Sequence, residues 1–161
     1  MRLILMRHAK SDWSSFATRD HDRPLNARGA RSARAMGDWM RSHGYLPDRT
    51  LCSTATRTRE TLAGLQIDAP VSYEKALYHA SPDTMLRVLR GAAGNTVLMI
   101  GHNPGIAELA EMLVRTPPHH PRFFDYPTCA TLVADFDTAD WTQVNPGGGN
   151  PVDFVVPREL E

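Results

Sequence analysis

The chain has 161 residues, 42% of them hydrophobic, which suits a single globular domain with a core that needs no covalent staples. Its 18 Lys/Arg balance 18 Asp/Glu, which excludes nucleic-acid binding driven by bulk charge. No apolar run approaches the ~20 residues of a membrane span, and the first segment is too short for a signal-peptide core, so a cytoplasmic protein with no membrane partner is expected.

The opening run Arg2-Leu3-Ile4-Leu5-Met6 predicts a buried strand that delivers Arg7 and His8 beyond its end. Residues 9–25 are polar and irregular, a loop over that strand end. Asn26 can cap a helix running to about His43, with Gly44 as its stop and Ala30, Ala33, Met36, Gly37 and Met40 on one face. A second short strand, 49–52, ends at Ser53, and a helix follows over 54–65. A third strand is expected over 71–77. Ser81-Pro82-Asp83 then opens a helix that stops near Gly91–Gly94.

Residues 96–100 are the clearest buried strand, ending in Gly101-His102-Asn103-Pro104-Gly105, with a helix onward to about Arg115. A proline-rich loop, 116–128, precedes a strand over 130–136. After a Gly/Pro turn at 146–151, a last strand is expected over 152–156, forming a hairpin at a sheet edge. Strands alternating with helices predict an α/β fold, a three-layer α/β/α sandwich around a mostly parallel sheet of about six strands, in one domain spanning 1–161.

Ligands of open α/β sheets bind beyond the carboxyl ends of the strands. Three such ends would present Arg7 with His8, Ser53 followed by Arg57, and His102 on one edge. A cation beside a histidine nucleophile suits reaction with a phosphate group. Metal binding is the rival use of two histidines, but no third ligand stands at metal spacing. Charge is uneven: residues 1–60 hold 12 Lys/Arg against 6 Asp/Glu, and 16 of the 18 basic residues are arginines. Arginine grips phosphate through a planar fork, where lysine acts as a point charge. A GC-rich genome would explain the same bias. Cys52 and Cys129 form no CxxC and read as free buried thiols. His21, His43, His119 and His120 read as solvated residues, Arg59 as a surface cation pairing with neighbouring acids, and Trp39 as part of the helix core face or its margin. Trp13 would pack or anchor the loop over the site.

The stretches RHAKSDW with a following DRPLNARG, then CSTATRTRET, then IGHNPG resemble the histidine phosphatase superfamily (phosphoglycerate mutase-like). The small size, the RPL loop and the tail FVVPREL look most like its SixA-type phosphohistidine phosphatase branch. The resemblance implies that His8 is the nucleophile, Arg7, Arg57 and His102 bind and neutralise the phosphate, and no cofactor or metal is needed. It also implies Arg23 as a further phosphate contact and, less directly, Ser14. Two departures stand out. Ala9 replaces the usual glycine of RHG, and 75–80 lacks the carboxylate that many relatives use as general acid. His79 is the titratable group nearest that place, and Asp20 in the loop is a substitute acid. An imidazole leaves more easily than an alkoxide, so the missing acid fits a phosphohistidine substrate on a protein of a phosphorelay or phosphotransfer system. A phosphatase for small phosphoesters such as sugar phosphates and a non-catalytic phosphate-binding module are the alternatives. The sequence does not set the oligomeric state.

Overall fold

A computed structural model describes residues 1–161. Six strands form one sheet in the order β3-β2-β4-β1-β5-β6: β1 (Arg2–Arg7), β2 (Arg49–Ser53), β3 (Val71–Glu74), β4 (Thr96–Gly101), β5 (Thr131–Phe136) and β6 (Gly149–Val155). The first four run parallel, β5 is antiparallel to β1, and β6 pairs antiparallel with β5. β1 and β4 lie at the centre and are buried on both faces, which is why they read as unbroken apolar runs. Their side chains alternate between two cores. Leu3, Leu5, Val97 and Met99 face one side; Ile4, Met6, Leu98 and Ile100 face the other.

Two helices cover each face. α1 (Ala27–Ser42) and α2 (Thr56–Leu65) pack on the second core through Ala33, Met36, Trp39, Met40, Leu62 and Leu65. α3 (Pro82–Arg90) and α4 (Gly105–Leu113) pack on the first through Met85, Leu86, Leu89, Ile106, Leu109 and Leu113. The caps are those expected: the Asn26 side chain accepts the Gly29 amide and Ser81 accepts that of Thr84, each satisfying an orphan donor of the first turn. No helix is long and apolar enough to cross a membrane.

The three-layer α/β/α architecture is as expected, and the differences lie at element ends. β3 stops at Glu74, and Lys75–Leu77 form a 3-10 turn. This edge strand has no buried residue, so nothing holds its chain to the sheet beyond four positions. β6 begins at Gly149, inside the expected turn, because Gly149, Asn150 and Pro151 pair with Phe136, Asp135 and Ala134. Ala30 lies outside the buried face of α1. Trp39 is buried as expected. His120 is not solvated: its Nε2 lies 2.6 Å from Glu159, and its ring meets Phe154 edge-on. His43 is exposed, as expected, with its ring against those of Trp39 and Tyr45. Arg59 pairs with no acid; its guanidinium lies over Tyr73 and donates to the Thr54 carbonyl.

Candidate active site

Strand register brings the two histidines together. β1 pairs with β4 so that Arg7 sits opposite Gly101, and the next residues of each chain are His8 and His102. Their ring centroids are 5.3 Å apart, and both residues are buried. β2 ends beside them at Ser53, and α2 then turns Arg57 back over the strand ends. The parallel sheet therefore places four side chains from distant sequence positions on one edge.

His8 Nδ1 lies 2.7 Å from the Ala9 carbonyl. A carbonyl only accepts, so the proton sits on Nδ1 and the Nε2 lone pair is free. The Ala9 amide in turn donates to Thr61 Oγ1, whose hydroxyl donates to the Arg57 carbonyl, tying the strand end to α2. Burial, with Arg57, Arg7 and Arg23 nearby, pushes the His8 pKa down to about 3. His102 is pushed down to about 2 by burial, then by His8 and Arg57. Both rings are neutral at physiological pH. His102 Nε2 is 2.8 Å from Ser53 Oγ, and its Nδ1 has no protein partner.

Arg57 is 3% exposed, and its Nη1 and Nη2 donate to the backbone carbonyl and the carboxylate of Asp20. Arg23 pairs with the same carboxylate at 3.1 Å and stacks its guanidinium on Trp13 at 3.4 Å. Arg7 donates through Nη1 to the Tyr126 carbonyl. Each of the three arginines keeps a buried Nε–H without an acceptor. With His102 Nδ1 they account for four of the six buried side-chain polar atoms in the molecule that lack a partner. An unmet buried donor costs about 1–3 kcal/mol, so their clustering around one strand edge marks a place built for an acceptor-rich anion.

The remaining candidates divide. Asp20 joins the cluster as a hub: besides the arginines, it accepts from the Tyr78 hydroxyl at 2.5 Å and lies 3.2 Å from His79 Nε2. Burial alone would raise its pKa, but the Tyr78 hydroxyl, Arg57 and Arg23 outweigh it and hold the carboxyl at about 2. Asp20 is thus a carboxylate at neutral pH and carries no proton to give. His79 stands at the rim with its backbone in the left-handed region at φ 53°, 6.0 Å from the His102 ring. A non-glycine residue held there costs of order 1–3 kcal/mol and persists only where its surroundings fix it. Gly105 helps to fix it: a Cβ there would lie 2.2 Å from the Ala80 carbonyl, so only glycine lets the start of α4 pack against this turn. Ser14 is exposed and engages Asp12, whose carboxylate accepts its backbone amide, rather than the cluster of arginines. Trp13 anchors Arg23 and stays largely exposed.

Four participants escaped the sequence reading. Tyr78 lies edge-on to His102 at 5.4 Å and under Arg57. His21, read as solvated, bonds Thr54 Oγ1 and meets Tyr78 edge-on. Ser53 was placed at the strand end without a role, and Thr61 was not singled out. An arrangement with no cluster of three or more His, Cys, Asp or Glu at metal-binding distance offers no metal centre among these residues.

The family model of the histidine phosphatase superfamily (branch 1) matches residues 3–81. An uncharacterized Mycobacterium tuberculosis protein, Rv1276c, is 39% identical over 160 residues, covering 95% of this chain and all of that protein. Among solved structures, a SixA of Nakamurella multipartitia, designated a phosphohistidine phosphatase, superposes with a TM-score of 0.83 at 34% identity, over 97% of this chain and 95% of that one. A SixA of Agrobacterium tumefaciens gives 0.78 at 27% identity, over 97% and 98%. Sheet order and helix layers thus define an α/β protein of phosphoglycerate mutase-like architecture. The chain belongs to the histidine phosphatase superfamily, within its SixA-type branch.

Proposed function

We propose that this protein is a phosphatase that removes phosphate from phosphohistidine on a protein, through a phospho-His8 intermediate. The observation that carries the reading is the fixed tautomer of His8. Its Nδ1–H is spent on the Ala9 carbonyl, and Nε2 is left as an unprotonated nucleophile among Arg7, Arg23 and Arg57.

In the first step, His8 Nε2 forms a bond to phosphorus while the P–N bond to the substrate imidazole breaks. The departing imidazole keeps the electron pair and takes its proton from solvent. The guanidinium groups balance charge on the equatorial oxygens, and the neutral His102 ring, with the Ser53 hydroxyl donating to its Nε2, offers them a hydrogen bond from Nδ1–H. Water then attacks the phosphorus of phospho-His8, and its P–N bond breaks to free phosphate and His8. Nothing in either step calls for a strong acid beside the leaving group, which agrees with Asp20 being held as a carboxylate. The reading carries the name of the solved SixA relatives to this chain as one phosphatase domain. It places the protein in the cytoplasm, where the unpaired, buried Cys52 and Cys129 stay reduced.

A second reading, hydrolysis of small phosphoesters, draws on His79, an imidazole beside Asp20 that can supply a proton to an alkoxide. Turnover of a phosphohistidine peptide and of sugar phosphates by the purified protein separates the two. The proposal predicts the peptide as the better substrate. Efficient sugar-phosphate hydrolysis with an inert phosphohistidine peptide overturns it. Phosphate binding without turnover of any donor points instead to a binding module.

A further inference from the structure

Outside the histidine pair, a concentration of unspent positive charge borders Arg7. A cavity of about 360 Å³ opens there, lined by Arg7, Lys10, Arg28, Arg122 and Arg158 with a single acid, Asp125. Asp125 is already paired with Arg122 at 2.9 Å. The side chains of Lys10, Arg28 and Arg158 have no hydrogen bond or ion pair. Arg28 also sits in the first turn of α1, where the helix dipole disfavours a cation and no acidic residue compensates it. These positive charges repel one another and gain nothing within the chain.

The cations come from separate segments: the end of β1, the loop after it, α1, the loop before β5 and the C-terminal turn. Gly29 holds two of these segments together, since a Cβ there would fall 2.1 Å from the Lys10 carbonyl. A neighbouring cavity of about 480 Å³ shares Arg28, Ser32 and Pro157 with the first and continues along α1 to Arg31. The second cavity carries one acid, Glu161, against Arg28 and Arg31, so the two together form a predominantly basic groove that begins at Arg7, the residue before His8. One phosphate would engage two or three of these groups. A groove of this extent suits an extended chain of negative charges.

We infer that this groove docks an acidic segment flanking the phosphohistidine of the protein substrate, so that carboxylates of that segment meet Lys10, Arg28, Arg31 and Arg158 while the phosphoryl group reaches His8. The inference rests on the phosphohistidine reading above and adds to it the charge of the substrate. Arg7 links the two sites, because it borders both the groove and the histidine pair. Complementary charge of this kind acts mainly on capture, and so on kcat/KM, in a salt-dependent way.

The test compares three chemically phosphorylated donors: a histidine peptide flanked by glutamates, the same peptide with glutamines, and free phosphohistidine. The wild type should favour the glutamate peptide over the glutamine peptide by about tenfold in kcat/KM at low salt, the lower end of electrostatic steering. Raising salt should erase the preference. A double Arg28→Glu, Arg158→Glu variant should lose it as well and keep wild-type turnover of free phosphohistidine, which also shows that it folds. Equal rates on both peptides, or a preference that survives in the variant, overturns the inference while phosphohistidine turnover stands. An unphosphorylated glutamate peptide should compete; competition by tripolyphosphate alone assigns the groove to phosphate chains and overturns it. If none of the three donors is turned over while p-nitrophenyl phosphate is, the phosphohistidine reading itself fails.

Discussion

Arg57 is held by Asp20 at two points, Nη1 to the backbone carbonyl at 2.7 Å and Nη2 to the carboxylate at 3.2 Å. The same carboxylate also engages Arg23, Tyr78 and His79. A phosphoryl group gripped by Arg57 and Arg23 must share them with this carboxylate or displace it.

The Asp20→Asn substitution therefore tests competition against acid catalysis. A partly exposed ion pair contributes up to about 1 kcal/mol, so KM for a phosphohistidine donor should fall about two- to fivefold with kcat maintained. Inorganic phosphate should inhibit the variant more strongly. A loss of turnover confined to ester substrates would show instead that Asp20 delivers a proton.

Removing the Arg57 guanidinium acts in the opposite direction. Arg57→Ala should lower kcat by about 10²–10³-fold, the range for loss of a preorganised charge-stabilising donor. Arg57→Lys should recover only part of this, since an ammonium cannot present the fork. Stopped or steady-state phosphate release measures both.

Ser53 orients His102 through the 2.8 Å contact to Nε2. Without the hydroxyl, the ring loses the partner that selects its tautomer. Ser53→Ala should reduce kcat by about tenfold, from roughly 1.4 kcal/mol of lost orientation, and leave KM nearly unchanged. Ser53→Thr, which keeps the hydroxyl, should restore most of the rate if the buried pocket admits the extra methyl.

The two neutral histidines also make stability depend on pH. Their folded-state values lie near 3 and 2, below the ordinary 6.5, so the unfolded chain binds more protons between about pH 6.5 and 3. Stability is fully present above pH 6.5 and is lost as pH falls, with a slope approaching about 1.4 kcal/mol per pH unit for each histidine. The depressed Asp20 adds a loss of the same sign below its ordinary value near 4. Urea unfolding at pH 7, 5.5 and 4.5 should show the decline, and His102→Asn should flatten it. A flat profile between pH 6.5 and 4.5 contradicts the buried neutral assignment.

The fold was legible where one physical cue governs. Uninterrupted apolar runs marked β1 and β4, and capping residues marked α1 and α3. The ends of β3 and β6 were not legible, because pairing with a neighbouring strand decides them and pairing is absent from local sequence. At the site, Arg7, His8, Arg57 and His102 were readable as residues presented by strand ends. The Asp20 hub was only half readable. Its position in the loop was visible, but that four residues meet there (Arg57, Arg23, Tyr78 and His79) depends on how the loop folds back, and an aspartate held ionised by arginines looks in sequence like one free to donate. Tyr78 and Ser53 escaped for a related reason: their partners lie 58 and 49 positions away.

The central claim is that His8 carries the phosphoryl group between substrate and water. Brief exposure to a donor labelled on its phosphohistidine, followed by rapid quenching in alkali, measures it directly. The account predicts label on the wild-type protein in an acid-labile, alkali-stable linkage that maps to His8, and none on His8→Ala. Equal label on His8→Ala, or multiple turnover by that variant at the wild-type rate, would contradict it.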